Sequence, residues 1–122
     1  MLEFYKRNFT FDIRADTDED NGAYITGRPI VFESKTDLGV CYEVIRRGAL
    51  DEADLSDVRF LVNHNTDMIP LARSQAGNKN STMQIQTDKD GLTMRVNLDI
   101  ENNAEARALY SAVQRGDISG MS

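Results

Sequence analysis

The chain has 122 residues, 40% hydrophobic and 28% charged, with a formal net charge of -6. That length supports one domain with a core of its own and not two. The acidic balance excludes a general nucleic-acid binder, which needs a net basic face (only Arg46-Arg47 forms a local basic pair), and no apolar run is long enough to span a bilayer.

The first residues, Met1 to Arg7, lack the basic region, apolar core and small-residue cleavage site of a signal peptide. Phe9, Phe11 and Ile13 alternate with Thr10 and Asp12, the two-residue period of a half-buried strand. Asp16 to Gly22 reads as an exposed turn, with Asp16, Asp18, Glu19 and Asp20 at a solvated hairpin tip. The alternative is calcium, because Asp16-Thr17-Asp18-Glu19-Asp20 begins like an EF-hand loop. Against it, Gly22 comes one place late, Gly27 stands where the final bidentate Glu belongs, and no helix flanks the stretch.

Ala23, Ile25 and Pro29-Ile30-Val31-Phe32 predict a second strand, with Gly27 and Pro29 marking a bulge or bend. Ser34 to Gly39 is a polar connection, and Cys41 to Ile45 a third short strand. Inside that strand Cys41 reads as a small core residue rather than a nucleophile. One cysteine forms no internal disulfide, which fits a reducing compartment, and one Cys with one His cannot build a structural zinc site. Arg46 to Leu50 turns the chain, and Asp51 to Ser56 is expected to hold one helical turn capped by Asp51.

Val58-Arg59-Phe60-Leu61-Val62 is the most apolar stretch and runs into Asn63-His64-Asn65, a polar triplet at the end of a strand. Ile69 to Arg73 is a short strand that Pro70 demotes to an edge or bulge, and Ser74 to Ser81 is a loop. Thr82 to Thr87 and Leu92 to Leu98 alternate cleanly around Asp88-Lys89-Asp90-Gly91, which predicts a hairpin. Asn102 and Asn103 can cap a helix, with Glu105 completing a capping box from Asn102. Its expected apolar face is Ala104, Ala108, Leu109, Ala112 and Val113, and Gly116 is its stop. The sum is a mainly β, antiparallel, barrel-like domain with one clear C-terminal helix, α+β overall.

The single histidine, His64, and the terminal Gly116-Asp117-Ile118-Ser119-Gly120-Met121-Ser122 are the candidate chemistry. A serine after a helix stop and a histidine across the fold are one way to make a nucleophile and its base. Each also has a plainer reading: a loop histidine bonded to backbone, and an ordinary chain end. Asp57, Asp67 and Asp117 are the candidate acids for orienting His64, with Asp67 better suited to a local turn and Asp117 to the turn after the helix. Asn63 and Asn65 either support the imidazole or satisfy their own turn.

Four stretches in order resemble the prohead (procapsid maturation) serine proteases of tailed phages. They are Gly27 to Phe32 with Ser34 and Asp37-Leu38-Gly39; Glu43 to Leu50; Val58 to Asn65 followed by Leu71-Ala72-Arg73; and Asp90-Gly91-Leu92 with Arg115 to Ser122. The resemblance implies a fold related to the herpesvirus assembly proteases, a serine endopeptidase with Ser122 as nucleophile and His64 as general base, and no cofactor. It implies capsid-precursor and scaffold proteins as partners, met inside the procapsid in the host cytoplasm. In that family an aromatic-Gly-aromatic strand follows the serine, and a later stretch carries the group that orients the histidine. The expectation is therefore one prohead-protease-like domain over 1–122, incomplete at its C-terminus, inactive alone and open to self-association at a sheet edge. The competing expectation is a non-catalytic capsid-assembly or scaffold-binding β-domain.

Overall fold

Period-two alternation builds the centre of the fold. The computed structural model describes residues 13–20, 22–37 and 39–121. In chain order its elements are β1 (Arg14–Asp18), β2 (Gly22–Val31), β3 (Lys35–Asp37), β4 (Tyr42–Val44), β5 (Asp57–Phe60), β6 (Ala72–Gln75), β7 (Met83–Asp88), β8 (Gly91–Asn97) and α1 (Ala104–Arg115). A four-stranded antiparallel sheet runs β1-β2-β8-β7, and β3-β4 and β5-β6 are separate antiparallel pairs. The described residues are thus mainly β and antiparallel with one C-terminal helix, the α+β class expected from the sequence, and their strands form an open sheet and two ribbons rather than a closed barrel.

One face of the large sheet carries Ala23, Ile25, Met83 and Val96, all buried, and joins Leu71, Ala72 and Leu98 beneath α1. Ile25 and Val96 are fully buried; each such side chain contributes about 1.5–3 kcal/mol by leaving water. The other face is polar. There Arg95 stacks on the Tyr24 ring at 3.8 Å and donates to Asp18 at 2.9 Å. The predicted bend is present, as the β2–β8 register shifts between Gly27 and Ile30. Pro29 lies within that shift, where its missing N–H costs no ladder bond.

Several expectations change. The alternation at Phe9 and Phe11 lies outside the described residues. Asp16 and Asp18 belong to β1 rather than to a turn, because Tyr24 and Gly22 pair with them across the sheet. Ser34 to Gly39 is not only a connection. Lys35–Asp37 pairs with β4, with the Lys35 ammonium 3.9 Å from the Tyr42 ring centre. Cys41 is exposed, not core, since no layer of the described residues covers this ribbon, which also leaves Val40 and Tyr42 exposed. No helix forms at 51–56. Gly48, at φ 88, breaks any continuous helix, and separate turns close from Ala49 to Arg46, Asp51 to Gly48 and Ala53 to Leu50. The strand expected at Ile69 to Arg73 is shifted to Ala72–Gln75, where β5 supplies its partners, and Ile69 is 82% exposed.

The hairpin of β7 and β8 is as predicted. Helix α1 is capped by Asn103, whose side chain accepts from the Glu105 and Ala106 N–H groups, while Asn102 bonds Asp99. The buried face is Ala106, Leu109, Tyr110 and Val113, so Leu109 and Val113 are inside as expected while Ala104 and Ala108 are exposed. Spacings of three, four and seven from Ala106 put one stripe on the sheet, and exposing two alanines loses little apolar area.

Candidate functional site

Residues 61–71 connect β5 to β6 and carry His64. The connection is pinned on both sides of the histidine, because Val62 and Met68 pack against the core and Leu71 is buried within it. Between these anchors residues 63–67 are exposed. The Asn65 N–H donates to the Val62 carbonyl at 3.1 Å, closing a four-residue turn. Its central residues, Asn63 and His64, both have φ of 54°. Two positive φ values at the centre define the type I′ turn. That conformation costs an ordinary L residue roughly 1–2 kcal/mol, with Asn a partial exception. The next step is held by the Asn65 side chain, which accepts from the Asp67 N–H at 3.0 Å.

The candidate acids do not converge on His64. Asp57 accepts from Arg73 through both carboxylate oxygens, at 2.7 and 2.5 Å, and these bonds hold its carboxyl below the usual carboxylate range. Asp117 faces Arg115 at 3.4 Å. The Asp67 carboxylate has no hydrogen-bond or ion-pair partner among the described residues, and in the local turn the Asp67 backbone N–H donates to the Asn65 side chain instead. Asn65 is committed to its own turn. No three His, Cys, Asp or Glu side chains group around a metal position among the described residues. The basic pair is also engaged. Arg46 and the Arg47 N–H bond Glu33, each at 2.9 Å, and Arg47 Nε donates to the Lys89 carbonyl at 2.8 Å.

The approach to Ser122 is built by the end of α1. Gly116 turns left-handed at φ 80, its N–H donating to Val113 O at 3.1 Å, and the Asp117 N–H returns to Ala112 O at 2.9 Å. These bonds satisfy the last helical carbonyls and reverse the chain. Ile118 and Met121 then pack against the core, so the segment runs along the protein rather than away from it. Ser122 itself lies outside the described residues. Of the two candidate catalytic residues, the described structure therefore includes His64.

A shallow depression of about 700 Å³ lies elsewhere, on the polar face of the large sheet, lined by residues such as Arg14, Thr26, Arg28, Gln84 and Arg95. Arg28 and Arg95 already hold carboxylates there, and His64 does not line it. We read it as the solvated side of the sheet.

The sequence reading missed the strained turn. Its one available signal was Asn63, since Asn tolerates the left-handed region better than most residues. Glu33, at φ 57, was missed as the acceptor for Arg46 and the Arg47 N–H, while Arg47 itself reaches the β7–β8 turn at Lys89, and nothing in the sequence around Glu33 marked it. In comparisons with known proteins, the family described as Caudovirus prohead serine protease matches residues 9–122. No curated protein and no solved structure matches the chain.

Proposed function

The chain belongs to the caudovirus prohead serine protease family, and we propose that within it Ser122 is the nucleophile and His64 the general base. The observation that carries this reading is the paired positive φ at Asn63 and His64, on an exposed turn with core anchors on both sides. Residues held in sparsely populated backbone regions cluster at active sites, where the surrounding structure fixes them.

The chemistry follows the residue types. His64 accepts the Ser122 hydroxyl proton as Oγ attacks a peptide carbonyl carbon. Backbone N–H groups stabilise the resulting oxyanion. His64 returns the proton to the leaving amine, and the peptide C–N bond breaks to leave an acyl-enzyme. Water, deprotonated by His64, then releases the acid and regenerates Ser122. Asp57 and Asp117 are engaged with arginines, so neither is assigned to orient the imidazole. Substrates are capsid-precursor and scaffold proteins, cut inside the procapsid. Exposed Val40, Tyr42 and Val44 on the β3–β4 ribbon favour a second reading, a non-catalytic assembly domain that docks through this face.

Co-expression of the natural reading frame with its capsid precursor, followed by intact-mass analysis, separates the two. Defined products that vanish in both Ser122→Ala and His64→Ala support the protease with this dyad. Identical masses in wild type and both variants leave the assembly domain.

A further inference from the structure

We propose that Asn63 is a positioning residue for His64, acting by taking the first left-handed place of the turn that presents the imidazole; this rests on His64 being the general base. The turn between Val62 and Asn65 closes on a single backbone hydrogen bond. A type I′ turn usually joins two strands directly and usually carries glycine at its second central place. Neither holds here. β5 ends at Phe60 and β6 begins at Ala72, so hairpin closure does not demand this turn. Its second central place is His64, at φ 54.

The geometry is instead held by its surroundings. Val62 and Met68 fasten the chain to the core on either side. The Asn65 N–H closes the turn on Val62, and the Asn65 side chain closes the following step on the Asp67 N–H. Residue 63 must then supply a left-handed backbone. Asn does so more readily than other side chains, and a β-branched residue strongly resists it. A residue that drives φ negative at 63 converts the turn towards its mirror type and rotates the Cα–Cβ bond of the next residue. Asn63 therefore acts on the reaction through the direction in which His64 leaves the backbone.

The test compares Asn63→Gly, Asn63→Ala and Asn63→Val with wild type. Because His64 is the single histidine, ¹⁵N-histidine labelling of the 122-residue chain reads its imidazole alone. Cleavage of the capsid precursor by the natural reading frame gives kcat and KM. Asn63→Gly, which takes positive φ freely, is expected to keep the His64 resonances and kcat. Asn63→Val is expected to shift those resonances and lower kcat on the order of 10- to 100-fold, as small misplacements of reacting groups do, with KM unchanged. Asn63→Ala falls between them and serves if the valine variant does not fold. Wild-type kcat in both Asn63→Ala and Asn63→Val overturns the proposal, as does a loss in Asn63→Gly equal to that in Asn63→Ala, which would make the amide itself the active feature. His64→Gln separates the two readings. Wild-type kcat there removes the general base and the positioning role together. Loss there, with Asn63→Ala and Asn63→Val unaffected, removes only the positioning role.

Discussion

Gly91 and Ile30 approach so closely that a Cβ on Gly91 would lie 2.0 Å from the Ile30 carbonyl oxygen. The contact joins the start of β8 to β2 just past the bulge, and Gly91 has φ of 149°. Asp90-Gly91-Leu92 is one of the stretches that resemble the family, and here its glycine has a packing reason. Gly91→Ala is expected to cost about 2–4 kcal/mol in urea unfolding, because backbone must move. Gly77→Ala has open space around it and is expected to cost about 1 kcal/mol, the left-handed penalty alone. Equal costs would contradict the contact.

Helix capping gives a second measurement. Asn103→Ala is expected to lower stability by about 1 kcal/mol, since its side chain accepts from two otherwise unpaired N–H groups. Asn102→Ala should cost less, because Asn102 bonds Asp99 outside the helix. Thermal unfolding of the two variants side by side decides which asparagine is the cap.

The Arg28–Asp88 pair predicts a pH dependence. Two bonds of 2.8 and 3.0 Å join the bulge of β2 to the end of β7. Asp88 also accepts from the Asp90 and Gly91 N–H groups at 2.8 and 3.0 Å. The Arg28 guanidinium, followed by the turn N–H groups, holds the Asp88 carboxyl far below its usual range. A depressed folded value means that the stabilisation is present above the unfolded pKa of about 3.9 and is lost as pH falls towards the folded value. The pair is solvent-accessible, so the effect is small and salt-sensitive. Asp88→Asn should lower Tm at pH 7, and the gap from wild type should narrow as pH falls below about 4. A gap that widens on acidification would reverse the sign argued here.

Asp57 offers a control on the site. It is near His64 in sequence but is held by Arg73 across β5 and β6. Asp57→Asn is expected to lower Tm modestly while leaving precursor processing intact. Loss of processing in a variant folded like wild type would make Asp57 part of the site.

Sequence alone determined the parts whose chemistry is local. The β7–β8 hairpin, the bulge between Gly27 and Ile30, the glycine stop of α1 and the placing of His64 just beyond a strand follow from alternation, turn residues and caps. The family was legible too, because its motifs are read in order along the chain. Tertiary structure decided what depends on partners far apart in sequence. Lys35–Asp37 is a strand only because β4 lies beside it, and Asp16 and Asp18 join β1 only because β2 pairs with them. Cys41 is exposed because no described element covers its ribbon, and α1 turns Ala106 and Tyr110 inward because the sheet meets that stripe. The left-handed pair at Asn63 and His64 belongs to the same class. Its strain opposes local preference and is held by anchors at Val62 and Met68, whose effect appears only when the core is assembled.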